Sequence, residues 1–230
     1  DYTGGQRLAE ALVGRDMLGF NPDTDWGDDG SDYRTHYPGL SGSVDPSGAD
    51  EDNLKKRKGP YLEPSNTEVY FVGEVHGEDG LFENTSLLNE ESVVICDVYK
   101  HYKVSFEKPG STTNEMITVS AGNPILYYRA NRSSREPDGG QPEERIYNSE
   151  DNFPLIRDAS KALRDQAKKA TAEQLDDSLY GDLDNLYEFI SDPKVSEPEN
   201  WPYRSDSYLL ISAGKDGLYG TDDDVCNFGD

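Results

Sequence analysis

The chain is poor in positive charge: 22 lysines and arginines stand against 46 aspartates and glutamates in 230 residues, a formal net charge of −24. Nucleic-acid phosphates demand a basic face, and so does anionic lipid, so this balance argues against both as partners. Long apolar runs are also missing. None reaches the roughly eighteen residues needed to span a bilayer, and mean hydropathy is low at −0.84. Sulfur is scarce: there are two cysteines, Cys96 and Cys226, and neither has a thiol or histidine neighbour at metal-ligand spacing. Such a pair fits either one disulfide or two buried thiols. His36, His76 and His101 are scattered, with no His-Glu-x-x-His helix for zinc. There is no Gly-x-Ser-x-Gly elbow and no Gly-rich phosphate loop ending in Lys-Ser/Thr. The abundance of carboxylates does not by itself identify a hydrolytic acid/base pair, although a carboxylate hydrolase is one of three function classes the composition allows. The expectation is a non-enzymatic protein with no small-molecule substrate.

What the chain does have is turn residues, acid and tyrosine. Fifteen tyrosines supply amphipathic bulk for a modest core surrounded by long loops. Residues 3–18 read as a helix, with Leu8, Ala9, Ala11, Leu12 and Val13 supplying apolar positions. A loop rich in Asp, Gly, Ser and Pro follows over 21–53, carrying Trp26, Tyr33, His36 and Tyr37; it is too long to be a simple connection. Lys55-Lys-Arg-Lys58, the one basic cluster, is expected to balance nearby carboxylates. Segments near Val69, Val94, Ile125 and Leu210 are rich in β-branched and aromatic residues, predicting a mainly antiparallel sheet packed on the N-terminal helix. Gly73 to Gly80 is turn-rich without the alternating aspartates of a calcium-binding hand, and reads as a hairpin turn. Leu155 to Ala172 is amphipathic, and the stripe Leu175, Leu179, Leu183, Leu186, Phe189, Ile190 continues at helical spacing until Asp192-Pro193.

The densest signal is the C-terminal stretch Tyr208-Leu-Leu-Ile-Ser-Ala-Gly-Lys-Asp-Gly-Leu-Tyr-Gly-Thr-Asp-Asp-Asp-Val. A short strand runs directly into a loop of glycines and carboxylates. Calcium takes six to eight oxygens from carboxylates and backbone carbonyls, and glycines allow the tight folding that aims both inward. The expected ligands are the carboxylates of Asp216, Asp222 and Asp224, with backbone carbonyls near Ala213 and Tyr219. If direction alternates along the chain, Asp223 points away. The competing reading is a solvated acidic tail.

This loop resembles the C-terminal calcium loop of the major pseudopilins of type II secretion systems, roughly Ser-Leu-Gly-x-Asp-Gly followed by Gly-Thr-Asp-x-Asp-Ile. The match covers about twenty residues; here the loop is shorter between its glycines, and Ala213 stands where leucine is usual. Gly5 to Gly14 is similar, more weakly, to the soluble half of the long N-terminal helix of pilins, and Gly59-Pro-Tyr-Leu-Glu-Pro to the turn that leads from that helix toward the sheet.

The resemblance implies an α+β, pilin-like fold in one domain over 1–230: an N-terminal helix over 1–20, a long loop over 21–66, the sheet over 67–131, a helical insertion over 150–192, and the last strand with its calcium loop over 205–230. It implies a structural subunit of a type II secretion pseudopilus or type IV pilus-like filament. The partners would be other pilin or pseudopilin subunits, on the periplasmic or cell-surface side of the inner membrane, with a hydrophobic anchor helix expected upstream of Asp1. An oxidising periplasm would also favour a Cys96–Cys226 disulfide. The rival from another class is a secreted calcium-dependent binding or adhesion module, its acidic loops and tyrosines contacting a glycan or protein.

Overall fold

The computed structural model describes residues 2–24, 37, 51–76, 80–82, 88, 90–99, 102–107, 115–158, 167, 169–196 and 200–229. It is a mixed helix and sheet protein whose paired strands are all antiparallel among the described residues. Helix α1 spans Gly4–Val13. Thr3 starts it with a capping box, accepting from the Gln6 N–H while the Gln6 side chain accepts from the Thr3 N–H. It ends five residues before the expected position. Gly14 adopts φ 79°, a conformation nearly free of cost only for glycine, and the next residue, Arg15, turns into the interior, where it pairs with Glu10 at 3.0 Å.

The long loop is shorter than expected, because Glu51–Lys56 forms a helix, α2. The basic cluster beside it does what was expected. Lys55 pairs with Asp52, Lys56 with Asp23, and Arg57 with buried Asp16 at 2.9 Å. Of the loop aromatics only Tyr37 falls among the described residues; it is fully buried, its hydroxyl accepts from the Asn21 N–H, and the Arg57 guanidinium lies over its ring. Trp26, Tyr33 and His36 lie outside the described residues.

All four expected strand segments are found. Val69–Phe71 (β1) pairs with Val93–Ile95 (β2), and Leu126–Arg129 (β5) with Tyr208–Ser212 (β6). A bridge between Cys96 and Pro124, with the Ile125 N–H donating to the Ile95 carbonyl, sets β5 beside β2. The turn after β1 at Gly73 opens a long excursion before β2 rather than a tight hairpin. Three strands escaped the sequence reading: Tyr102–Glu107 (β3) and Met116–Ala121 (β4), which form a hairpin, and Val225–Cys226 (β7), which pairs with the end of β6; the described strands form three hydrogen-bonded sheets, β1-β2, β3-β4 and β5-β6-β7, rather than the one expected.

Burial explains why Val93 to Cys96 is apolar without a break. Val69, Phe71, Val93 and Ile95 face α1, whereas Tyr70, Val94 and Cys96 face the larger core with Leu126, Tyr128, Leu209 and Ile211. A strand buried on both faces cannot alternate with polar residues. Helix α1 packs across β2 and β5 at very short range: a Cβ on Gly4 would stand 1.9 Å from the Tyr127 carbonyl oxygen, and one on Gly5 2.9 Å from that of Ile125. Asn152 fastens this contact, accepting from the Gly5 N–H and donating to the Tyr127 carbonyl.

The helical insertion is broken rather than continuous. Pro154–Asp158 is a single π-type turn, Ala172–Asp177 (α3) carries its own Thr171–Gln174 capping box, and Asn185–Phe189 (α4) follows after a turn. Residues 159–166 and 168, in the middle of the expected helix, lie outside the described residues. Ser178 leaves the helix with ψ 160° and donates its hydroxyl back to the Leu175 carbonyl, which interrupts the stripe. Leu179, Leu186 and Ile190 still reach the core, and the segment ends before Asp192-Pro193 as expected.

Candidate functional site

The acidic loop joins β6 to β7 and is anchored on the far side of the sheet by residues distant in sequence. The Tyr219 hydroxyl donates to the Pro124 carbonyl, and the Asn123 side chain donates to the Gly217 carbonyl at 3.2 Å. Asp97 accepts from the Ser212 hydroxyl at 2.9 Å and from the backbone N–H groups of Tyr99 and Asn123. Neither Asp97 nor Asn123 stood out in the sequence. Nothing in their local context signals the role, because their partners are supplied by the strand order. Within the loop Gly214 has φ 59°, and a Cβ there would meet the Asp223 carbonyl oxygen at 2.3 Å, so only glycine closes this turn.

The carboxylates are not arranged as alternation predicts. Asp223, though exposed, folds back on the loop: one oxygen accepts from the backbone N–H groups of Lys215 at 2.7 Å and Asp216 at 3.0 Å, the other from the Thr221 hydroxyl at 2.9 Å. Asp224 accepts from the Gly220 N–H at 2.7 Å, and Asp216 from the Leu218 N–H at 2.8 Å. Asp222 is exposed and makes no hydrogen bond to a described residue. Both Asp222 and Asp223 are exposed, and it is Asp223 rather than Asp222 that hydrogen-bonds the loop. Residues 221–223 are a turn and not a strand, so the two-residue period does not apply to them.

The carboxylates feel one another. Burial, then the charges of Asp216 and Asp223, push the Asp224 carboxyl up to about 8 against the Gly220 hydrogen bond. Burial and Asp223 also raise Asp216. Burial opposes the charge of Asp223 as well, but hydrogen bonds from Thr221 and from the Asp216 and Lys215 N–H groups outweigh it and hold that carboxyl below the usual range. The expected carbonyl ligands are engaged: that of Ala213 accepts from the Gly217 N–H at 3.1 Å, that of Tyr219 from the Leu179 N–H at 2.9 Å. Each keeps a second lone pair.

In charge and hardness this donor set suits calcium. Its geometry suits it less well, since among the described residues no three His, Cys, Asp or Glu side chains converge as a metal-holding group. Backbone N–H groups occupy the carboxylate oxygens that a cation would take. A shift in loop geometry that brings Asp216, Asp223 and Asp224 together is what binding would require.

The disulfide expected between Cys96 and Cys226 is not made; both thiols are free. Strand order is the reason. Cys96 sits beside Pro124 at the start of β5, and Cys226 pairs with Ile211 on β6, so β5 and β6 lie between them. Three strand spacings amount to about 14 Å, twice what a disulfide spans. Burial raises the Cys96 thiol, and burial with nearby Asp224 pushes Cys226 up to about 12.

No family model, curated protein or solved structure matches this chain.

Proposed function

We propose that the chain is the periplasmic part of a filament subunit of the type II secretion pseudopilin or type IV pilin-like kind, its C-terminal loop stabilised by calcium. The observation that supports this most is a capped α1 laid directly on the antiparallel strands β2 and β5, with β6 beside β5 opening into a Gly/Asp loop pinned back at Asn123 and Pro124. The pilin-like form of the fold, the inner-membrane anchor and the subunit partners belong to the same proposal. A helix that must pack into a filament on one side needs a rigid seat on the other, and the glycine contact of α1 with β5 supplies one.

The calcium ligands in this reading are Asp216, Asp223 and Asp224 with the carbonyls of Ala213 and Tyr219; Asp222 is outside the set. Calcium would take the place of the proton that burial, and after it repulsion from Asp216 and Asp223, keeps on Asp224 near neutrality. Binding to the folded loop alone stabilises by about 2.7 kcal/mol when free calcium is a hundredfold above Kd. Thermal melts in EDTA and in millimolar calcium test the loop: the midpoint should rise with calcium, and the rise should vanish in Asp216→Ala and Asp223→Ala but persist in Asp222→Ala. A wild-type midpoint indifferent to calcium returns the loop to a hydrogen-bonded acidic turn.

The filament reading has its own test in the gene upstream of Asp1. A short basic leader, Gly-Phe-x-x-x-Glu and about twenty apolar residues are expected there. A cleavable secretion signal in that place would instead favour a secreted calcium-dependent binding module.

A further inference from the structure

Helix α1 covers its face of the sheet only as far as β5. On β6 the same face continues with Tyr208 and Leu210, because Leu209 and Ile211 are the residues that turn to the core. Leu8 and Ala11 of α1, together with Tyr127, Tyr208 and Leu210, line an open groove of about 630 Å³. Arg7, Arg129 and Asp151 form the end of this groove and also belong to an adjoining cleft of about 420 Å³ that adds Arg132, Asn131 and Asn148. The two make one continuous trough, apolar along α1 and basic at its end.

The basic end is unusual in a chain of net charge −24. Four arginines line the cleft, Arg7, Arg129, Arg132 and Arg145, against Glu143 and Asp151. Arg145 is committed elsewhere, to Asp184 and to the carbonyls of Gly139 and Gly140. The Arg129 side chain is exposed and makes no hydrogen bond or ion pair with a described residue. Arg132 is exposed and spends only its Nε, on the Asp206 carbonyl. Two guanidinium forks are thus presented beside an apolar trough, the geometry that receives carboxylates.

We propose that this trough docks the acidic tip of a second copy of the chain, with Asp222 of the tip meeting Arg129 and Arg132 and Val225 lying toward the apolar part. The tip has the complementary chemistry: Asp222 is exposed and unused by its own loop, and Val225 is 54% exposed on the short edge strand β7. The basic end of the trough sits at the start of β6, where Arg129 pairs with Tyr208, whereas Asp222 lies past Ser212 at its other end. A copy cannot fill its own trough. Contacts between unlike surfaces join copies head to tail and leave an open chain rather than a closed dimer. The inference deepens the filament reading and rests on it for its biological setting.

Site-directed crosslinking tests it, in a Cys226→Ser background at high protein concentration and low salt, where the guanidinium–carboxylate attraction is least screened. Chains carrying Leu8→Cys mixed with chains carrying Val225→Cys, which keep Arg129, Arg132 and Asp222, should form a disulfide heterodimer severalfold more abundantly than either does with a Glu173→Cys control. The double variant should give a ladder of dimers, trimers and higher species. Adding Arg129→Glu should lower the heterodimer yield severalfold, as should raising salt. Equal yields with the control, or a double variant that stops at dimers, overturn the proposal. The upstream leader is read independently: a secretion signal there with a crosslinking ladder intact removes the filament reading and leaves the docking, whereas a pilin-like leader without the ladder does the reverse.

Discussion

The Ser212 hydroxyl donates to the Asp97 carboxylate at 2.9 Å across 115 positions of sequence. That contact ties the chain leaving β2 to the end of β6, at the point where the acidic loop begins. The same carboxylate takes the backbone N–H groups of Tyr99 and Asn123, and a Cβ on Gly122 would lie 2.1 Å from one of its oxygens. The loop is thus held by an acidic residue that is not one of its own.

Replacing Asp97 by alanine should therefore destabilise the protein although no loop residue is touched. Three donors lose a charged acceptor in a buried position, and a hydrogen bond to a charged group contributes about 1.5–3 kcal/mol. Urea unfolding should show a loss of about 2–3 kcal/mol, partly offset by water reaching the gap. A midpoint equal to wild type would show that Asp97 does not anchor the loop.

Stability without calcium should fall as pH rises. Asp224 titrates near 3.9 when unfolded and near 8 when folded, so between these values the folded state holds the extra proton. Its contribution is complete below about pH 4 and is lost as pH climbs through about 8, at no more than about 1.4 kcal/mol per pH unit. Melts in EDTA from pH 5 to 8 should show this slope, and Asp224→Asn should flatten it. Calcium competes with the same proton, so its stabilising effect should grow over that interval.

Both thiols should be free yet slow to react in the native protein. Cys96 is buried, and the Cys226 thiol is held up to about 12, which leaves almost no thiolate at neutral pH. Thiol titration should report two groups per chain in denaturant without reductant. A reductant should leave the melting midpoint unmoved; a midpoint that drops would reveal a disulfide.

Gly4→Ala should be harmful even though alanine is the better helix former by about 1 kcal/mol. The new methyl would overlap the Tyr127 carbonyl, and α1 would have to lift from β5. Overpacking of this kind costs about 1–3 kcal/mol, so a net loss near 2 kcal/mol is expected by chemical denaturation. Ala11→Cys labelling should accelerate in the same variant as the helix loosens.

Much of the fold was legible locally. The runs of β-formers at Val69, Val94 and Leu210 report strands because such side chains suit a pleated, buried surface, and the apolar positions from Leu8 to Val13 report a helix because they recur on one face. The acidic loop was legible as a turn as well, its glycines being demanded by backbone conformation. What only the tertiary structure decided are the relationships between segments. Strand order placed β5 and β6 between Cys96 and Cys226, and a turn where alternation was assumed exchanged the roles of Asp222 and Asp223. Asp97, Asn123 and Asn152 acquired their roles from partners up to 147 residues away. Composition and periodicity encode which way a residue wants to face; they carry no information on which distant backbone group will stand opposite it, because that is set by the packing of the whole sheet.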